Sequence, residues 1–128
     1  MSQPPAGPDL DRRRAYRLGL GAETLAAWAL RLKGWRILAR RFKAGPGEID
    51  LVARKGNIVA FVEVKARRSR DAALEAITPA SRRRIVRAAK VFVARHPKAV
   101  FHTLRFDVVL VVPGRWPEHI EDAFPDTD

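Results

Sequence analysis

"GEIDLVARKGNIVAFVEVKARRSR" (residues 47–70) sets three acids and a lysine, Glu48, Asp50, Glu63 and Lys65, into two runs of sheet-forming apolar residues. "EIDLVA" and "IVAFVEVKA" read as antiparallel strands around "RKGN", since two such runs parted by a short Gly-containing segment form a tight hairpin. With Gly56-Asn57 at the turn, Asp50 faces Glu63 and Glu48 faces Lys65. With Lys55-Gly56 there, Asp50 faces Phe61 and Glu48 faces Glu63. Strand side chains alternate with period two and cross-strand partners share a face, so either register puts all four charged residues on one face.

Directly opposed residues have Cβ atoms about 4.5–5.5 Å apart, and two carboxylates so placed repel unless a positive group lies between them. A divalent cation with oxygen ligands meets that need, and Lys65 adds a further cation. Such an ion lowers the pKa of a bound water and polarises a phosphoryl oxygen, while a lysine stabilises developing negative charge. The competing account is ordinary: Glu48–Lys65 and Glu63–Lys65 as cross-strand ion pairs worth a few tenths of a kcal/mol. Val59 and Phe61 share the face of Glu63, which sets the acids at the edge of a buried region and favours the metal site.

The surrounding elements follow from periodicity. Leu18, Ala22, Leu25, Ala29 and Leu32 recur at alternating steps of four and three, one face of an amphipathic helix that Gly34 stops and that starts as late as Ala22. Glu23, at the edge of that stripe, either looks across at the sheet or is a solvated acid on the helix flank. "WRILARRF" (35–42) reads as a first strand ending at Gly45-Pro46-Gly47. Thr78-Pro79 starts a second helix that His96-Pro97 closes, with Ile85, Ala88, Ala89, Phe92 and Val93 as its apolar stripe. "LRFDVVLVV" (104–112) is a buried strand ended by Pro113-Gly114, and the rest is a short tail. Asp107 in that strand reads as structural, with a buried partner beyond Arg105. Trp28 and Trp35 are expected in the core; Trp116 is free to stack on bases. The order of helix, three strands, helix and strand implies an α/β domain over residues 16–124, after a disordered basic leader (1–15) and before an acidic tail end (125–128).

The chain has 128 residues and a formal net charge of +11. Five acids and no base lie between Glu118 and Asp128; the preceding body holds 25 basic and nine acidic residues, a formal +16. A polyanion is the partner such a balance implies. No cysteine is present, and His96, His102 and His119 fall at no metal-ligand spacing, so a bound metal would need oxygen ligands. No apolar run reaches the roughly 20 residues of a membrane span and no secretory signal opens the chain, which places the protein in the cytoplasm without a membrane partner.

"GEIDLVA" followed by "FVEVKAR" closely resembles the YraN-like family of small bacterial endonuclease-like proteins, related to archaeal Holliday junction resolvases. Asp50, Glu63 and Lys65 resemble the Asp…Glu-x-Lys motif of the restriction-endonuclease-like superfamily, and the likeness runs from about Gly21 to Phe124. The resemblance implies a mixed central sheet flanked by helices. It implies Asp50 and Glu63 as ligands of Mg²⁺ or Mn²⁺, Lys65 as the catalytic lysine and Glu23 as the helix acid. One departure is "TPASRRR" (78–84), where the family usually has Lys or Gln and this chain has Ala80 and Ser81.

Arg67 and Arg68 follow Lys65, and Arg82, Arg83, Arg84, Arg87 and Lys90 line a helix without an acid from Pro79 to Pro97. That helix is expected to bind phosphates without reading sequence. Two functions are compatible with these residues. One is a metal-dependent nuclease on structured DNA, branched intermediates included, with DNA ahead of RNA and a homodimer where paired cuts are needed. The other is a nucleic-acid-binding module that keeps the fold without turnover.

Overall fold

A computed structural model describes residues 21–125. The leader, the first turns of the expected stripe including Leu18, and residues 126–128 lie outside them. The elements are α1 (Ala22–Leu32), β1 (Arg36–Ala44), β2 (Gly47–Lys55), β3 (Ile58–Ala66), α2 (Arg70–Glu75), α3 (Pro79–Arg95), a 3₁₀ turn (Pro97–Phe101), β4 (Thr103–Val111) and β5 (Glu118–Ile120). One sheet runs in the order β1-β2-β3-β4-β5. It is mixed: β3 and β4 are parallel and every other pair is antiparallel. The chain therefore adopts the α/β architecture, a mixed central sheet flanked by helices, that the resemblance implied. Among the described residues no helix is long and apolar enough to cross a membrane.

The β2–β3 hairpin turns at Gly56-Asn57, with Lys55 paired to Ile58 and Gly56 at φ +58°, a value glycine adopts without strain. The parallel β3–β4 pair needs a crossover, which α2 and α3 supply. α3 begins with a reciprocal cap: Ser81 N donates to Thr78 Oγ1 at 3.1 Å and Thr78 N donates to Ser81 Oγ at 3.0 Å. Ser81, one of the two residues of the "TPASRRR" departure, is thus a buried part of the helix start.

Each sheet face has its own core. Val59, Phe61, Phe106 and Val108 pack under Ile85, Val86 and Phe92 of α3, where the Phe61 ring meets those of Phe92 and Phe106. Ala60, Val62 and Val109 pack under Ala26, Ala27 and Leu30 of α1, with Trp35. The expected stripe of α1 is corrected here. Leu25 and Leu32 are exposed, and so is Trp28 at 56%, because the helix turns its alanines inward and lies close on the sheet. Trp35 is buried as expected.

Gly47 marks another close approach. A Cβ there would lie 2.7 Å from the carbonyl oxygen of Arg84 and 2.9 Å from the amide of Ala88, both backbone atoms of α3.

β5, α2 and the 3₁₀ turn were not expected. β5 is secured by Asp107, whose carboxylate is fully buried. Arg105 donates to both its oxygens at 2.9 Å, His119 Nε2 donates to Oδ2 at 2.7 Å, and the amide of Asp122 donates to Oδ1 at 2.9 Å. His119 and Asp122 are the partners that sequence left unnamed. Burial opposes the charge of Asp107, but these donors outweigh it and hold the carboxyl below its ordinary pKa. Lys33 Nζ, which can only donate, lies 3.0 Å from His119 Nδ1, so Nε2 carries the ring proton toward Asp107.

Two outcomes are expected in urea denaturation. Gly47→Ala lowers stability by about 1–3 kcal/mol, as overpacking against backbone does. Asp107→Ala strips Arg105 and His119 of their buried acceptor, leaving Arg105 only the exposed Glu121 at 3.7 Å, and costs about 3–5 kcal/mol.

Candidate functional site

The hairpin register runs regularly from Lys55↔Ile58 to Leu51↔Val62 and stops one residue short of Asp50. There the alternation of β2 slips. Leu51 and Ala53 belong to the core under α1, yet Ile49, two residues before Leu51, joins Val52 in the core under α3. Between them the Asp50 carboxylate Oδ2 accepts the amide of Val64 at 2.8 Å. Strand amides lie in the plane of a sheet, so the carboxylate occupies the seam between β2 and β3, where a ladder carbonyl would otherwise sit.

This slip corrects the expectation of a single charged face. The site consists of two pairs joined at the seam. On the α1 side an open pocket of about 250 Å³ is lined by Glu23 and Asp50 together with Arg41, Arg67, Val64 and Ala66. Glu23 is therefore no solvated flank residue: Arg41 Nε donates to its two oxygens at 3.0 and 3.2 Å. Glu63 and Lys65 do not line that pocket. They form a largely buried ion pair, Lys65 Nζ to Glu63 Oε1 at 3.0 Å, with side chains 14% and 8% exposed. Glu48 is exposed opposite Lys43 of β1 rather than Lys65.

The charges at the seam are unbalanced. Burial pushes Asp50 up to about 6, the Val64 hydrogen bond works against that, and the negative charges of Glu63, Glu23 and Glu48 add to the rise. Glu63 Oε2 is buried with no hydrogen-bond partner. An orphaned carboxylate oxygen beside an acid that resists ionisation is an environment a hard cation would relieve, and the donor set is all oxygen. Among the described residues no three acids or histidines converge closely enough to hold an ion by themselves. Two carboxylates with waters or a phosphate oxygen suffice for Mg²⁺, which dehydrates reluctantly.

Of the basic residues marked in the sequence, Arg67 lines the pocket. Arg82, Arg83, Arg84, Arg87 and Lys90 stand outward on α3, over the other sheet face from α1, and Arg82 lies 5.5 Å from the ring of Phe124. Arg68 is exposed beside Arg67. Arg41 was missed, because its sequence position on β1 carries no sign of its partner on α1.

A carboxyl raised above its unfolded value binds its proton more tightly in the native state, so its charge costs stability as pH rises. With Asp50 at about 6 folded and 3.8 unfolded, the cost grows from about pH 4 to pH 6 and is complete above that. Without divalent metal, Asp50→Asn, whose amide oxygen still accepts from Val64, is expected to be more stable than the parent by up to about 2–3 kcal/mol at pH 7.5. The gain vanishes below about pH 4, as thermal melts in EDTA across this range check.

Comparison with known proteins places the chain among its relatives. A profile described as "Uncharacterised protein family UPF0102" matches residues 22–111, from the start of α1 to the end of β4. The UPF0102 protein of Methylorubrum extorquens (strain PA1) is 54% identical over 122 residues, 95% of each chain. That of Parvibaculum lavamentivorans is 58% identical over 110 residues, 86% of this chain and 83% of the relative, and that of Methylobacterium nodulans 57% over 118, 91% and 92%. A fold with one sheet, an acid pocket under α1 and a family match over both together assign this chain: it belongs to the UPF0102 family, the YraN-like group its strand motifs resemble.

Proposed function

We propose that the protein is a divalent-metal-dependent nuclease that hydrolyses phosphodiester bonds in structured DNA. The observation that carries this is the uncompensated negative charge at the seam: Asp50 pushed up to about 6 beside Glu63, whose second oxygen has no partner. A protein this basic has no need of such a cluster for binding a polyanion alone. Asp50 and Glu63 would hold Mg²⁺ or Mn²⁺, with Glu23 facing the same pocket. The bound ion supplies an activated water and a counter-charge for the phosphoryl oxygens.

The chain's own residues do the rest. Val64, through its amide, fixes the Asp50 carboxylate in one orientation. Lys65, whose ammonium lies 3.0 Å from Glu63, would offset the negative charge that develops on the phosphoryl group and the leaving oxygen. Arg67 at the pocket wall and Arg68 beside it take neighbouring phosphates, and the row from Arg82 to Lys90 holds a more distant part of the duplex or a second arm of a branch. One site makes one cut, so paired cuts in a branched substrate would use a homodimer. The cytoplasm is the compartment in which such a substrate lies.

A second reading rests on a different observation. Two of the three acids are already matched internally, Glu23 by Arg41 and Glu63 by Lys65. A nucleic-acid-binding module on this fold would look like that.

Labelled four-way junction, flap, single strand, duplex and RNA, each with Mg²⁺, Mn²⁺ or EDTA, separate the two. Metal-dependent cutting is expected, with branched DNA the best substrate and a loss of at least about 100-fold in Asp50→Ala and Glu63→Ala while binding is retained. Tight binding with no cutting in either metal would discard the nuclease in favour of the module.

A further inference from the structure

Arg40 and Arg41 are adjacent on β1, and neighbouring residues of a strand point to opposite faces. Here both reach α1. Arg40 NH2 donates to Thr24 Oγ1 at 2.8 Å and lies 3.8 Å from Glu23 Oε1, while Arg41 Nε donates to both oxygens of Glu23. The exception is made in the backbone, where Arg41 has φ +51°. Residues with a Cβ seldom enter that region, and an arginine held there signals a local requirement. Arg41 and Asp50 fall in the interruption between the pairs Arg40↔Leu51 and Phe42↔Ile49, and both line the pocket.

Glu23 already has one cation nearby in Arg40, yet the backbone is bent to bring a second. That second one is not packed in place: the Arg41 side chain is 70% exposed, against 16% for Glu23. A guanidinium tethered by a single carboxylate at the mouth of a pocket is free to exchange it for another oxyanion, and phosphate offers the same forked geometry.

We propose that Arg41 is the displaceable counter-ion of this pocket: it neutralises Glu23 while no divalent cation is held, and turns to a substrate phosphate once one is. This rests on the metal-dependent reading above and adds to it a residue that tunes metal affinity and positions the substrate. Glu23 then has a counter-charge in either state. Metal and DNA bind in a linked manner, because the ion releases the arginine that grips the phosphate.

Arg41→Gly tests this without threatening the fold, since glycine adopts φ +51° freely and the strand is at the sheet edge. Mn²⁺ binding followed by calorimetry, with no substrate present, is expected to tighten about three- to fivefold in Arg41→Gly, the size of an exposed ion pair, and to stay near the parent value in Arg41→Lys. In cleavage assays the glycine variant is expected to raise KM for DNA more than it lowers kcat, with partial recovery by lysine. An Asp50-dependent Mn²⁺ site whose affinity is unchanged or weaker in Arg41→Gly overturns the proposal and leaves the nuclease reading standing. A parent protein that binds no Mn²⁺ in an Asp50-dependent way overturns both.

Discussion

One hydrogen bond, from the amide of Val64 to the carboxylate of Asp50, sets the geometry of the candidate site. Up to Leu51 and Val62 the central hairpin is an ordinary ladder in which each strand satisfies the other. At Asp50 a side chain takes over a duty of the backbone, and the phase of β2 slips. The acid is thereby held in a seam open to α1 and close to Glu63. A carboxylate in such a place loses solvation and gains like-charged neighbours, which is why it resists ionisation.

The rest of the sheet is arranged to keep that seam in place. Gly47 lets β2 start against the backbone of α3, and the alanines of α1 let that helix lie low over the other face, with Glu23 at its first turn. At the far side Asp107 binds His119 of β5 and Asp122 in the turn after it to β4 through a buried network in which each oxygen is satisfied. The half-buried Asp50 and the fully buried Asp107 make a useful contrast. Asp107 has donors enough to sit below its ordinary pKa, whereas Asp50 has one amide and three acids around it and sits above. The first is built to stabilise the fold; the second is a source of tension that a ligand can relieve.

The electrostatics of the molecule are layered in the same way. The chain carries a formal +11, and the described acids outside α2 and the buried Asp107 gather at the seam, the α1 pocket and the end of the chain. The basic row of α3 covers the sheet face away from α1, so a nucleic acid touching both that row and the pocket would have to pass around the sheet edge or meet two copies of the chain.

The sequence by itself determined the types of the longer elements, a hairpin turn within Lys55-Gly56-Asn57, the Thr78-Pro79 helix start and the α/β order, because these depend on local backbone preference and on periodicities that a few residues define; the pairing of Lys55 with Ile58 chose Gly56-Asn57. It also marked Asp50, Glu63 and Lys65 as residues out of place in strands. Only the tertiary structure decided that the four charged residues do not share one face, since the slip at Asp50 depends on an amide fourteen positions away. The same is true of the exposed side of α1, where small residues were chosen by the closeness of the sheet rather than by hydrophobicity, and of β5, too short to announce itself without Asp107. Arg41 belongs with these: a left-handed arginine is invisible in a list of residues, and its meaning comes from the carboxylate it reaches on another element.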